Sequence, residues 1–483
     1  MKRIYLDNAA TTALDPKVTL AMNKSFEYFG NPSSLHTFGQ EARKLVDEAH
    51  DFVALFLDCK PTEVIFTSGG SEADNLAIKG IVDSCQLSVV SCQKSKTGSQ
   101  IESGMTGRKS GMTGKVLPHV IISAIEHHAV LHTVQDLEKE GKIEATYVKP
   151  DKKGIVQVKD IETAIKPNTV LVSVMYVNNE TGCVQPIREI GKMIERVNSL
   201  RIKNNELRIK GNGKDPSAAP QPFQDLRDDK NSKPLSTINH QLPTENRFSK
   251  IYFHCDAVQA AEFFEMGTKY LHVDLLTLTA HKIHGPKGTG VLFVKKGTPI
   301  EPQIIGGEHE FRMRAGTENV SGIVGLMAAL ELIVRRRADE GNRGPIKTDP
   351  SYPIFKDKTA ERVKKLRDKL EETILKTIPE TYLNGDKEKR SPSVTNISFK
   401  NAEGEAIILN LDFLGIAVSS GSACTARSLD PSHVLMAMDT PRELSHGAIR
   451  FSLSRETTEE EIDKVLEVMP GIIMKLREMS PFN

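Results

Sequence analysis

Tryptophan is absent and aromatic residues make up only 5% of the chain, which weighs against a broad aromatic-lined binding surface. Net charge is scarce as well. The 64 basic and 63 acidic residues leave +1, so there is no electrostatic footprint for nucleic acid or an anionic membrane. No apolar run is long enough to cross a bilayer. The start, M-K-R-I-Y-L-D-N-A-A-T-T, lacks an apolar signal core and is not an Arg/Ser-rich presequence, so a cytoplasmic setting is expected. Six cysteines in 483 residues, none in a C-x-x-C pair, give no sign of a disulfide framework or a zinc site and fit a reducing compartment.

Short β-rich runs alternate with longer amphipathic stretches from about Asp15 to Tyr270. Val64 to Thr67 reads as a buried strand, as do the runs from His119, Thr169 and Lys250, while E-A-R-K-L-V-D-E-A-H-D-F-V-A-L-F from Glu41 has helical periodicity. Strand, helix, strand in this order predicts an α/β domain with a mainly parallel sheet. Near Arg335 the chain turns charged and helical through Lys376. A hairpin-like S-V-T-N-I-S-F, a helix from Gly404 and a last helix from Thr457 then suggest a smaller α+β domain. The division expected is a large domain at 15–337 and a small one made of 1–14 and 338–483. Two polar stretches, about 91–117 and 198–249, bury too little apolar surface to offset their ordering entropy and read as surface insertions. The first repeats S-G-M-T-G-R-K as S-G-M-T-G-K, but no strand precedes it in the manner of a phosphate-binding P-loop.

Lys282 stands in L-L-T-L-T-A-H-K-I-H-G-P-K-G between two strand-like runs, with Thr279 and His281 beside it. Burying an ammonium costs several kcal/mol unless it is paired or neutralised. A lysine at a strand end is therefore expected to have a lowered pKa, and a neutral amine forms Schiff bases with aldehydes. The ordinary alternative is a lysine that snorkels to solvent. In V-I-F-T-S-G-G-S-E-A-D-N-L, a strand enters a Gly-Gly turn and Ser71 opens a helix with Glu72 and Asp74 in its first turn. Such a helix start cradles phosphate, or is simply a serine-capped turn. His127 and His128 follow the third strand, where ligands sit in open α/β sheets and a flat ring can stack on a flat cofactor. Asp256 ends another strand with no basic neighbour in sequence, and a protonated pyridine nitrogen would supply its cation. Cys424, in A-V-S-S-G-S-A-C-T-A-R-S-L, is surrounded by Ser, Gly and Ala, which offer no apolar packing partners, and suits a nucleophile that must travel. Cys59, Cys85, Cys183 and Cys255 read instead as small buried hydrophobes. Arg450 offers a bidentate grip on a carboxylate or a structural ion pair.

With these residues in hand, the chain resembles a cysteine desulfurase of the class V aminotransferase group, which belongs to the fold type I enzymes dependent on pyridoxal 5′-phosphate (PLP). F-T-S-G-G-S-E-A-D-N-L, V-N-N-E-T-G, H-C-D-A-V-Q, A-H-K-I-H-G-P-K-G, R-A-G-T-E-N and S-S-G-S-A-C carry the resemblance, in that order. It implies a large domain with a mainly parallel seven-stranded sheet and a smaller α+β domain. It assigns Lys282 to the Schiff base with PLP, Asp256 to the ring nitrogen and His127 to the ring face. Asn179 and Gln259 are assigned to the ring hydroxyl and the substrate side. Gly70, Ser71, Thr279 and His281 fall to the phosphate, together with Thr317 from the partner subunit of a homodimer. Arg450 and Asn31 fall to the L-cysteine carboxylate. Cys424 becomes the sulfur acceptor, forming a persulfide as alanine leaves. The loop after Ala417 resembles the long-loop branch, which hands sulfur to an iron–sulfur scaffold or a tRNA-thiolation carrier. No resident metal is implied, Cys424 being at most a transient ligand to an iron–sulfur cluster held with a partner. A selenocysteine lyase or other class V PLP lyase, and a non-catalytic scaffold with the same fold, are the alternatives. Gly70-Ser71 replaces a commoner Ala-Thr pair, and His284 stands where many relatives have tyrosine.

Overall fold

The computed structural model describes residues 3–96, 116–211, 250–340, 357–421 and 431–480, with side chains throughout except at 87–96 and 204–211. Cys424 and the S-G-M-T-G-R-K repeat lie outside the described residues. Twelve strands are present among them. They are β1 (Ile4–Tyr5), β2 (Val64–Thr67), β3 (His119–Ser123), β4 (Glu144–Val148), β5 (Thr169–Ser173), β6 (Tyr252–Asp256), β7 (Leu275–Thr279), β8 (Gly290–Val294), β9 (Thr381–Leu383), β10 (Val394–Phe399), β11 (Ile416–Ala417) and β12 (Ala448–Ser452).

Seven of these build one sheet in the order β2-β8-β7-β6-β5-β3-β4. Strands β4, β3, β5, β6 and β7 pair parallel, as the fully buried Val/Ile/Leu-rich runs of β3, β5 and β7 suggest. Strand β8 is antiparallel to both neighbours, because the short Gly/Pro turn from β7 leaves no room for a crossover. Two reversals in succession leave β2 pointing the same way as β7. The C-terminal ends of β2, β3, β5, β6 and β7 therefore open on one edge, the place where ligands bind in open α/β sheets. Helix Thr37–Leu57 shows why the layers hold. Its Ala42, Val46, Ala49, Val53 and Leu57 recur at helical spacing and are all buried.

A second sheet, β12-β10-β9, is antiparallel. Strand β1 pairs with β11, and Asp7 bridges to Ser452, so the N-terminus crosses to the C-terminal part. Residues 9–12 then run back along the Lys282 turn. Helical backbone runs into the first part of both stretches expected to be insertions. Helix Gly70–Lys96 continues past position 91, and helix Ile187–Gly211 continues past 198. Asn198 itself is buried, its amide exchanging two 2.8 Å hydrogen bonds with the Ile251 backbone. A polar residue that reads as loop is here the partner of an otherwise unpaired strand end. Among the described residues no helix is long and apolar enough to cross a membrane.

Candidate active site

Lys282 lies in a single 3-10 turn, Ala280–Lys282, directly after β7. Its Nζ is half-buried and donates to the carbonyls of Ala9 and Ala10, both at 2.6 Å. Gln259 Nε2 donates to the same Ala9 carbonyl at 2.9 Å. The lysine therefore faces inward, held by the N-terminal segment. Its charge reaches three residues on the sheet edge: Asp256, His127 and His281.

Asp256 is 5% exposed, and Oδ1 accepts the Val258 N–H at 3.0 Å. Burial pushes its carboxyl up to about 6, against the opposing pull of the Val258 N–H and Lys282. His127 caps helix His128–Lys139, its Nδ1 accepting the Ala129 N–H at 3.1 Å, which leaves the proton of the neutral ring on Nε2. Burial, then Lys282, His433 and His132, bring His127 down to about 4, so the ring is neutral at physiological pH. His281 is lowered to about 4 by burial, Lys282 and Lys287, and its Nδ1 lies 3.2 Å from the Thr11 hydroxyl.

The helix Gly70–Lys96 starts on the same edge, with Ser71 exposed at its first turn. Thr279 is buried and its hydroxyl donates to the Thr289 carbonyl at 3.1 Å. Arg450 is buried too. It donates through Nη1 to the carbonyls of Asn179 (2.8 Å) and Gly421 (3.4 Å), and through Nη2 to Asp7 Oδ1 (2.6 Å). Asn31 and Thr317 are exposed, and the Asn31 side chain accepts the Ser33 N–H. Lys282, Asp256, His127, His281 and Gln259 thus form one group. Arg450 and Asn179 form a second, tied to the same N-terminal segment.

Several residues went unrecognised in the sequence. Asp74 is not an exposed first-turn charge. It lies on the inner stripe with Ala77, Ile78 and Ile81, 3.6 Å from His254 Nε2. Burial, then Asp256, push its carboxyl well above the usual range. His254 is fully buried, with Nδ1 2.8 Å from the Ser173 hydroxyl, and is held near 3 by burial. Glu126 accepts the Met175 N–H at 2.8 Å and the Ser123 hydroxyl, and is pushed up to about 8, chiefly by burial. The spacing 74, 77, 78, 81 was the available signal for Asp74. Nothing in the local pattern marks Glu126. Of the four cysteines read as buried hydrophobes, Cys183 and Cys255 are buried, whereas Cys59 and Cys85 are only partly buried at the edges of the core; burial raises Cys59 to about 12, Cys85 to about 11, and Cys183 and Cys255 upward as well.

These residues fit PLP. There is an amine for the aldehyde, a buried carboxyl that a cation would complement, a neutral imidazole plane, and an exposed serine at a helix start for the phosphate. The fold and this site define a fold type I PLP enzyme. The profile of the family described as aminotransferase class-V matches residues 4–89, 112–202, 234–343 and 354–465. The cysteine desulfurase IscS of Clostridium botulinum is 39% identical, over 99% of this chain and 96% of that protein. The IscS of Dictyoglomus turgidum is 38% identical, over 100% and 98%. Among solved structures, a NifS-like protein superposes with a TM-score of 0.70 at 28% identity, over 99% of both chains. SspA, solved in complex with cysteine, gives 0.64 at 26% identity, over 95% of this chain and 100% of that one. The chain belongs to the class V aminotransferase family, where it groups with the cysteine desulfurases.

Proposed function

We propose that the chain is a PLP-dependent cysteine desulfurase that converts L-cysteine to L-alanine and keeps the sulfur as a persulfide on Cys424. The observation that carries this reading is the inward-facing Lys282 amine, within electrostatic reach of Asp256 and His127 on the ligand-binding edge of the sheet. When bound, PLP supplies an electron sink for charge developing at the substrate α-carbon. Lys282 would hold the aldehyde carbon and, once the substrate amine takes its place there, would be free to move a proton at the substrate α-carbon. Asp256 keeps the ring nitrogen protonated, because its buried carboxylate is stable only opposite a cation. His127 covers the ring as a neutral plane. Gly70, Ser71, Thr279 and His281 take the phosphate, and Asn179 and Gln259 the ring hydroxyl and substrate side. Arg450 and Asn31 take the substrate carboxylate.

Cys424 must react as the thiolate, since the thiol is a poor nucleophile. One S–S bond forms and the cysteine C–S bond breaks, so thiol plus cysteine gives persulfide plus alanine with no external oxidant.

The enzyme works as a cytoplasmic homodimer, with Thr317 reaching the phosphate of the partner subunit. The apolar surface left on this chain supports that reading. Phe29, Leu35, Phe38, Ile305 and Phe311 are all exposed, on the segments that flank Asn31 and precede Thr317. The acceptor is an iron–sulfur scaffold or a tRNA-thiolation carrier. The division into 15–337 and 1–14 with 338–483 belongs to the same reading, supported by the pairing of β1 with β11. The test is Cys424→Ala. The variant should keep the cofactor's visible absorption and lose alanine formation from cysteine. Unchanged alanine formation would instead favour a lyase that needs no thiol.

A further inference from the structure

Outside the Lys282 group, one buried carboxylate has contacts that the reaction scheme does not use. Glu180 sits in the V-N-N-E-T-G turn after β5 and is 1% exposed. Its backbone is fixed on both sides. The N–H donates to Asn178 Oδ1 at 3.0 Å, and the carbonyl accepts Asn396 Nδ2 at 3.2 Å. The side chain meets two separate pieces of the C-terminal part. On one side, Oε2 accepts the Ser432 hydroxyl, whose oxygen in turn accepts the Leu435 N–H at 3.1 Å and caps helix His433–Ala437. On the other side the chain at Gly421 runs against the carboxylate. Its φ is +91°, and a Cβ added there would lie 3.1 Å from Glu180 Oε2. Only glycine suits both the conformation and the space. The Gly421 N–H donates to the Ser419 hydroxyl, and its carbonyl accepts from Arg450. His433 and Arg450 both act on the Glu180 charge. Gly421 and Ser432 bracket the stretch of sequence that contains Cys424.

We infer that Glu180 is a positioning residue that holds Ser432 on one side of the Cys424 segment and packs against Gly421 on the other, beside Arg450, and so sets how fast the thiol meets the substrate sulfur without itself touching substrate or PLP. The inference rests on the desulfurase reading and adds a residue to it. Removing the carboxylate leaves the Ser432 hydroxyl without its acceptor and opens a void against Gly421. The cost falls on the delivery of the thiol. A glutamine keeps an acceptor oxygen in the same place.

The experiment compares wild-type, Glu180→Ala, Glu180→Gln and Ser432→Ala holoenzymes in three readouts. These are kcat and KM for alanine formation, half-saturation of the cysteine-induced absorbance change, and the rate of Cys424 alkylation by iodoacetamide followed on the peptide by mass spectrometry. Glu180→Ala should lower kcat about 10- to 100-fold, the size expected of a misplaced reacting group. KM and spectral half-saturation should stay within about twofold, as for an interaction that binds nothing in the ground state. The alkylation rate should change in both Ala variants, and Glu180→Gln should recover most of kcat. If Glu180→Ala fails to fold, Ser432→Ala carries the test with the same expected kcat loss. A wild-type kcat in the Ala variants would overturn the inference. So would a loss of the spectral response together with kcat, which would put Glu180 in substrate binding. Absence of alanine formation by the unmutated protein would overturn the desulfurase reading instead.

Discussion

Asn in place of Asp256 removes one charge while keeping the side chain's shape and its acceptor for the Val258 N–H. In the cofactor-free protein the carboxyl is buried and pushed from 3.8 up to about 6. An acid whose folded pKa is raised loses stability as pH climbs from its ordinary value through the folded one, and the loss persists above it. A shift of roughly two units corresponds to about 3 kcal/mol at neutral pH. Asp256 also pushes up the carboxyls of Asp74 and Glu126, so removing its charge relieves them too. Cofactor-free Asp256→Asn should therefore be more stable than wild type at pH 7, by on the order of 1–3 kcal/mol, and equal to it near pH 4. With PLP the sign reverses. A charge-assisted bond to the ring nitrogen, worth about 1.5–3 kcal/mol, is lost, and PLP affinity should fall about 10- to 150-fold. Urea unfolding of both cofactor-free proteins from pH 4 to 8 reads the first effect, and PLP titration by absorbance reads the second. A variant less stable than wild type at pH 7, or one that binds PLP equally well, would refute the reasoning.

Lys282→Ala should abolish covalent attachment. After borohydride treatment, the intact mass of the wild type should carry the cofactor and that of the variant should not. Arg450→Lys cannot satisfy Asp7, the Asn179 carbonyl and a carboxylate at once. It should raise the KM for cysteine about tenfold while PLP affinity holds. His127 is neutral above about pH 5 because burial and Lys282 depress it. The pH profile of alanine formation should therefore show no imidazole step from this residue between pH 5 and 8. Its acid limb should follow the Cys424 thiol, whose alkylation rate gives the same midpoint.

The sheet was legible in the sequence because parallel strands are buried on both faces and read as plain Val/Ile/Leu runs, as β3 and β5 do. The antiparallel β8 was less so, since an apolar run does not announce direction. Only the short turn from β7 does. At the site, Lys282, Asp256 and His127 were visible because each ends or follows a strand with chemistry that packing does not explain. Glu126, His254 and Asp74 were not, since their meaning depends on what lies across the sheet. Asp74 in particular looks like a helix-start charge until the stripe it shares with Ala77 and Ile81 turns it inward. Glu180 shows the same limit. Its neighbours in sequence mark a polar turn, and its partners Ser432 and Gly421 lie more than two hundred positions away.

The central claim is that sulfur passes from cysteine to one thiol. It is tested most directly by peptide mass spectrometry of the PLP-loaded protein after brief exposure to L-cysteine without reductant. The account predicts the mass of one added sulfur atom on the peptide containing Cys424, removed by dithiothreitol and accompanied by alanine. An unmodified Cys424 peptide in a protein that still releases alanine would contradict it.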